Sequence, residues 1–473
     1  MRNASASAAN PAPGEREAVL SAFGPISDTE FSDLLAEADP DLAGMPPSLF
    51  LAGVSGGADS TALSFLLSRW CRARGHAFRA IIVDHGLRSE AAEEAGRVAA
   101  RLGVVGICAE ILRWTGPKPG SGIQAAARAA RFGLMIERAV ELGASALFLA
   151  HHLQDQAETM VMRLGRESGA DGLAGIRPRQ MRAGVRVMRP LLPVSPERLR
   201  LTCLAGGLSW VEDPSNRDRR FERIRIREEQ DGLEAVGLGA GRLSRMAQIF
   251  SRLRDWSDDR LAGFLTDHAV LDRRGFARLN AEAVAGLPRP LRLKLASGLL
   301  QSIGGGAYPP RRESLERLDV WVTEGRRRRV TLGGCLIWRS GAGEIWIARE
   351  VPRKPRPEVL RARGGLRWDG RFDVTWQGDR PAWVHMLTRD GERRLRRLIT
   401  PAGLEIGLPQ SVRCSLPVVT DLDGRLFAPH FCETWTGAPR SNDGSLQVEF
   451  RPAVPWVAQA YRSGRDDRVG VRD

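Results

Sequence analysis

The chain has 473 residues, 43% of them hydrophobic, and carries a formal net charge of +14 with a pI near 10.7. That length suggests roughly two to four domains, and without an apolar run of about 18 residues no membrane span is expected. Six cysteines (Cys71, Cys108, Cys203, Cys335, Cys414 and Cys432) are scattered without a C-x-x-C pair. This spacing argues against zinc ribbons, iron–sulfur sites and dithiol redox chemistry. It fits a reduced, cytoplasmic compartment in which the cysteines serve as packing residues.

Along the chain, residues 1 to about 16 are rich in Ala, Ser, Asn and Pro and lack an apolar core, so they read as a disordered leader rather than a secretion signal. From about Pro47 to Pro190, strand and helix patterns alternate. Strands are expected at 48–54, 79–84, 107–112, 146–150 and 185–190, and helices at 59–73, 90–103, 122–142, 153–165 and 195–206. This alternation predicts a parallel sheet covered by helices on both faces, with ligands at the carboxyl ends of its strands. Residues 166–186, with several Gly and Arg, read as a mobile loop. The pattern from about Leu233 to Ile303 is helical, and the segment Pro352 to Pro357 reads as a linker. Beyond it, short β-like runs at Phe372–Trp376, Leu416–Val419 and Leu446–Phe450 suggest a small β-rich or mixed domain.

The basic charge is nearly all arginine, with only Lys118, Lys294 and Lys354 as lysines. Arginines cluster at 217–227, 326–329 and 389–397. Such clusters favour a polyanionic partner, most simply nucleic acid, over a merely solvated surface.

The most informative stretch is Ser55-Gly56-Gly57-Ala58-Asp59-Ser60, between an apolar strand pattern and a helical one. Glycines let the backbone approach an anion, and the N–H groups of a helix start can hold it. Ser55 and Ser60 add hydroxyl donors, and Asp59 could hold magnesium. No lysine follows the glycines, which points away from simple γ-phosphate hydrolysis. A second site lies at Ala150-His151-His152-Leu153-Gln154-Asp155-Gln156-Ala157-Glu158-Thr159. At about 100° per residue His152, Asp155, Glu158 and Thr159 share one helix face, with His151 at its margin. Ala157, Met160, Val161 and Leu164 share the opposite face and are expected to pack on the sheet. Two carboxylates one turn apart suit an ammonium group or a metal, although a solvated helix start is the plain alternative. Arg128 and Arg131 precede this site by one helix. Arg223, Arg225 and Arg227 follow it in a segment where strand-like alternation could align their guanidinium groups.

SGGADS resembles the PP-loop of N-type ATP pyrophosphatases. In the order SGGADS, VDHGLR (83–88), AAARAARF (125–132), AHHLQDQAET (150–159), RPLLPVS (189–195) and WVEDPSN (210–216), the motifs resemble the tRNA(Ile)-lysidine synthase family. The match is dense over about 48–227 and weaker beyond. The resemblance implies an α/β PP-loop ATP pyrophosphatase domain, a helical domain and a small β-rich or mixed C-terminal domain. The expected boundaries are a leader at 1–25, then 26–230, 231–350 and 358–473. It implies a ligase that joins free L-lysine to the 2-carbon of the wobble cytidine of a CAU-anticodon tRNA(Ile), using ATP and Mg2+ and releasing AMP and pyrophosphate. Under that resemblance Ser55, Gly56, Gly57, Ala58, Asp59 and Ser60 hold the nucleotide, and Asp59 the metal. Asp155 and Glu158 bind the lysine amine, His151 orients a substrate, and Arg131 and Arg223 meet phosphate or the lysine carboxylate. Whether the enzyme is a homodimer stays open.

Two departures from the family pattern stand out. Gln154 replaces a usual Asp, off the carboxylate face, and Ile224 follows Arg223 where Asn is usual. The stretch before the PP-loop is longer than usual and shows no chemistry. A tRNA thiolase of the same superfamily, a glutamine-using ligase, or an RNA-binding protein on an inactive nucleotide fold are the competing readings. The first would need cysteines near the site, where Cys108, expected within a strand, is isolated. The second would need an amidotransferase domain.

Overall fold

The computed structural model describes residues 24–87, 90–116, 118, 122–166, 168–211, 222–306, 308–398, 408–430 and 446–452. Residues 1–23 of the expected leader, the residues after Val211 in WVEDPSN, Arg88, Cys432 and residues 217–221 of the 217–227 cluster lie outside them. The chain divides into two compact units, Met1–Asp255 and Trp256–Asp473.

The first unit is built on six strands: β1 Leu49–Val54, β2 Ala77–Asp84, β3 Ala109–Arg113, β4 Ala146–Phe148, β5 Arg179–Arg182 and β6 Val185–Met188, in the order β3-β2-β1-β4-β6-β5. All neighbours are parallel except β5, which pairs antiparallel with β6 at the edge. Residues 166–186 therefore are not simply a loop. They contain the short helix Ala170–Leu173 and then a hairpin whose turn places Ala183 and Gly184 at φ +48° and +81°, the left-handed pair that matches the twist of a two-residue hairpin.

Strand alternation decides which helix covers which face. Phe50 and Ala52 of β1 point to a core shared with α1 (Asp28–Ala38), α2 (Ala58–Ala73) and α6 (Pro196–Ala205), through Phe31, Leu35, Leu63, Leu67 and Leu199. Val54 points the same way, against α3 (Ala91–Val104). Leu51 points the other way and packs with Ile81, Leu147 and Val187 against Met135 and Ile136 of α4 (Ile123–Glu141). Both faces are thus covered, as a parallel sheet requires. Strand order reverses between β1 and β4, so the residues after their carboxyl ends form the switch-point crevice. After β1 comes the PP-loop, and after β4 comes the His151-His152 segment that leads into α5 (Leu153–Leu164).

The apolar side of α5 differs from expectation. Ala157 and Met160 pack against Leu243 and Ala247 rather than on the sheet, and Leu164 is exposed. The segment with Arg223, Arg225 and Arg227 is a helix, α7 (Glu222–Glu228), not a strand. Helical spacing puts Arg223 and Arg227 one turn apart on one face, while Arg225 is exposed on another.

In the second unit the stretch read as helical is mixed. Helices Ala281–Gly286, Arg289–Gly304 and Arg312–Thr323 pack on one face of an antiparallel sheet, β7 Ala269–Asp272, β8 Phe276–Asn280, β9 Val330–Leu332, β10 Cys335–Arg339 and β11 Glu344–Arg349, in the order β7-β8-β11-β10-β9. The other face stacks Phe276, Trp346 and Trp338, with Arg278 and Arg329 over the tryptophans. A four-stranded and a three-stranded sheet follow and share a core of Trp368, Phe372, Val384 and Val419. They are joined tightly to the preceding sheet. Asp369 accepts from Arg349 and from the fully buried Arg371, both at 2.8 Å, and a Cβ on Gly305 would lie 2.4 Å from the Asp369 carbonyl oxygen.

Candidate active site

The PP-loop is held by its own atoms. The Ser55 N–H donates to Ser60 Oγ at 3.2 Å, and Ser60 Oγ donates to the Gly57 carbonyl at 3.1 Å. The Val211 N–H donates to the Gly56 carbonyl at 2.8 Å, which fastens the loop to the residue after Trp210. Gly56 has φ +88°, and a Cβ there would lie 2.6 Å from Val98 Cγ2, so both conformation and space require glycine. Gly57 caps α2, whose first N–H groups have no intrahelical partner and are free to meet an anion. Ala58 contributes backbone, its carbonyl accepting from the Cys203 thiol at 3.3 Å.

The cleft beside this loop has a volume of about 600 Å³ and is lined by Ser55, Asp59, Ser60, His151 and Thr159, by Phe132 and Met135, and by seven arginines: Arg128, Arg131, Arg163, Arg177, Arg182, Arg189 and Arg223. Among the described residues of that lining Asp59 is the one carboxylate. Burial lowers the pKa of Arg131. Burial, then the charges of Arg223 and Arg131, lowers that of Arg128. Arg189 is pulled down to about 10 by burial and by Arg182 and Arg128. Crowded guanidinium groups that depress one another form a field that a polyanion would relieve.

The histidines divide. His151 faces the cleft. Burial, reinforced by Arg189, Arg128 and Arg223 against Asp155, pushes its pKa down to about 3, so it is neutral near pH 7. Its Nδ1 has no hydrogen-bond partner. His152 points inward and caps α5, its N–H donating to Asp155 Oδ2 at 3.1 Å. Its Nε2 lies 3.5 Å from Asp59 Oδ2 and 3.7 Å from Asp155 Oδ2, between the two helices. Burial opposes a charge there, yet the contact with Asp59 and the charges of Asp155, Asp59 and Glu158 hold its pKa above the ordinary value.

The two carboxylates of α5 also divide. Burial would raise Asp155, but His152, His151, the His152 backbone N–H and Arg223 outweigh it and hold the group low. Arg223 Nη1 lies 3.5 Å from Asp155 Oδ1, at the cleft edge. Glu158 is fully buried, and that burial raises its pKa against the pull of Arg227. Arg227 Nε and Nη2 reach Glu158 Oε1 at 2.9 and 2.7 Å, while Oε2 has no hydrogen-bond partner. Helical spacing placed both carboxylates on one face; packing leaves only Asp155 near the cleft. Two acids in one site with pKa values pushed apart are suited to different tasks.

Gln154 is buried and away from the cleft lining. Its neighbour Gln156 accepts from the Ile176 N–H at 2.7 Å and donates to its carbonyl at 3.3 Å, so α5 holds the loop that carries Arg177. Arg163, Arg177, Gln180, Arg182 and Arg189 were not singled out from the sequence. Of these only Arg189 stands inside a recognised motif. Cys108 is exposed and precedes β3 rather than lying in it or packing. Cys203, behind the PP-loop, is a thiol pushed up to about 12 chiefly by burial, which gives no support to thiolase chemistry.

Comparison with known proteins agrees with this layout. A family profile described as "PP-loop domain" matches residues 27–230. The chain is 39% identical over 349 residues to a tRNA(Ile)-lysidine synthase of Ruegeria pomeroyi, covering 72% of this chain and 80% of that one. It is 42% identical over 319 residues to one of Methylobacterium nodulans, covering 64% and 90%. Among solved structures, the U34-tRNA thiolase NcsA from Methanococcus maripaludis aligns with a TM-score of 0.40 and 16% identity, over 48% of this chain and 78% of that one. That likeness is too low to carry an argument.

Proposed function

This chain belongs to the tRNA(Ile)-lysidine synthase family, and from that premise we propose how its cleft performs the ligation. The enzyme is an ATP-consuming carbon–nitrogen ligase acting on tRNA. Its nucleic-acid substrate is tRNA(Ile) with a CAU anticodon and its second substrate is free L-lysine. We assign it to the cytoplasm, acting alone or as a homodimer.

The 2-carbonyl oxygen of the wobble cytosine attacks the α-phosphorus of ATP, and pyrophosphate leaves. The lysine side-chain amine then attacks the same ring carbon and loses a proton, and AMP leaves with the former carbonyl oxygen. A urea-like carbonyl is a poor electrophile, so the first step is what makes the second possible. Reaching the site requires the cytidine to leave its stack.

Ser55, Ser60 and the backbone of Gly56, Gly57 and Ala58 hold the departing pyrophosphate at the start of α2. Asp59 suits Mg2+, which commonly takes one or two carboxylates together with substrate phosphates, and the ion would offset negative charge on the nucleotide. Arg128 and Arg131 face the phosphates. Asp155, held ionised, attracts the lysine ammonium, while Arg223 beside it meets the lysine carboxylate. Glu158, with its raised pKa and unpartnered Oε2, takes up the proton that the amine gives up once Arg227 shifts. His151, neutral, orients the adenylated base.

The observation that carries this reading is the convergence in one switch-point crevice of the PP-loop, Asp59, the arginines and, at the edge, the Asp155–Arg223 pair. The test is Asp155→Asn. Transfer of lysine should fall by roughly 100-fold or more, while tRNA-dependent formation of pyrophosphate and the adenylated tRNA persists. Equal loss of both steps would remove Asp155 from the amine site.

A further inference from the structure

The described residues before β1, from Gly24 on, contribute none to the cleft lining, yet they are built into the fold. Phe31, Leu35 and Leu42 enter the main core, and Glu30 takes both Nη atoms of Arg198 at 2.6 and 2.7 Å. At the end of α1 stands Asp39, which is fully buried. Its Oδ1 accepts from Arg179 Nη1 at 2.7 Å and from the Asp41 N–H at 3.2 Å, and its Oδ2 lies 3.5 Å from Arg186 Nη1.

Arg179 opens β5 and Arg186 lies in β6, where the antiparallel register pairs it with Met181. One carboxylate therefore grips both strands of the edge hairpin from the α1 side of the sheet. Side chains alternate along a strand. Arg179 faces Asp39, and Gln180 and Arg182 face the opposite way and line the cleft. A two-residue turn at Ala183–Gly184 follows Arg182 directly, so the position of that guanidinium is set by the hairpin. An edge strand gripped on one side only would lean; Asp39 supplies the second grip.

The cleft also carries more positive charge than its small substrates require. Among the described lining residues seven arginines stand with Asp59; Arg223 lies beside Asp155 and Arg177 beside Asp255, and the remaining five still exceed what Asp59, a magnesium-bound ATP and one lysine carboxylate can neutralise. The phosphates beside the extruded cytidine supply the remaining negative charge, and the hairpin forms a cleft wall away from the PP-loop. We infer that Asp39 is a positioning residue that holds the β5–β6 hairpin so that Arg182 meets an RNA phosphate flanking the target cytidine. The inference rests on the tRNA-modifying reading of the cleft.

The experiment uses the full chain with ATP, lysine and the CAU-anticodon tRNA. Asp39→Asn is expected to raise KM for tRNA by about 3- to 10-fold and to lower the slope of log KM against log salt by about one, with KM for ATP and for lysine unchanged. Arg182→Met should do the same without disturbing a buried group, and the double variant should be no worse than the worse single one. Glu in place of Asp39 should restore part of the loss. Additive effects, a matching rise in KM for ATP or lysine, or an unchanged KM for tRNA in Arg182→Met would overturn the inference. If the unaltered enzyme transferred no lysine, the functional reading would fail instead, which separates the two.

Discussion

The Arg227–Glu158 pair offers a quantitative test of the site. In Arg227→Met the aliphatic stem remains and the charge goes. Glu158 then loses both contacts to Oε1, at 2.9 and 2.7 Å, and its Oε2 has no partner to begin with. Breaking a fully buried ion pair costs about 3–5 kcal/mol. Arg227 is 42% exposed, so solvent screening lowers this to about 2 kcal/mol. The cost must depend on pH. Burial raises the folded pKa of Glu158 above 4.5 despite Arg227, so the folded state binds the proton more tightly than the unfolded chain. Stability from this group is therefore full below the unfolded value and is lost as pH rises through the folded value. Removing Arg227 moves the folded value further up, so the penalty should be small near pH 4.5 and reach its full size near pH 8. For a unit of this size that corresponds to a fall of about 4–8 °C in Tm. Scanning calorimetry at both pH values measures it, and hydrogen exchange over residues 153–164 identifies which transition moves, since two compact units need not melt together. Glu158→Gln in the same chain should recover most of the loss. A pH-independent shift, or a double variant as unstable as Arg227→Met, would refute the account of this pair.

Two further predictions concern backbone conformation. Gly56→Ala places a Cβ 2.6 Å from Val98 at φ +88° and should cost about 1–2 kcal/mol and weaken ATP binding, read by calorimetric titration; unchanged affinity would mean the loop does not need its shape. Ala183, at φ +48° in the hairpin turn, should gain up to about 1 kcal/mol on replacement by Asn or Gly, seen as a raised Tm with unaltered KM for ATP, and a lowered Tm would contradict the turn assignment.

The centre of the first unit's sheet was legible because β1 and β4 are buried on both faces. Runs such as Leu49–Val54 are apolar throughout and are followed by helices with a clear period, and the family motifs sit at their ends. The hairpin at Arg179–Met188 was not legible. Its outer strand is buried on neither face: Arg179 faces Asp39, Arg182 faces the cleft, and no apolar alternation survives. Its turn begins with Ala183, a residue that does not advertise a left-handed conformation. Helical spacing gave the direction of Glu158 but not its burial, which depends on α7 carrying Arg227 over it. In the second unit β9 spans only Val330–Leu332, too short for a period to show, and the helices around it dominated the reading. The arginines of the cleft come from α4, α5, α7, the hairpin and the residues flanking it (Arg177 and Arg189), and only the fold brings them together.

The central claim is that this cleft joins lysine to a cytidine. Mass spectrometry of CAU-anticodon tRNA(Ile) after incubation with the protein, ATP, Mg2+ and lysine tests it most directly. The account predicts that the wobble cytidine gains the mass of a lysine residue, with AMP and pyrophosphate released in step, and that Asp59→Ala abolishes the gain. A wobble nucleotide of unchanged mass, or one carrying sulfur instead, would contradict it.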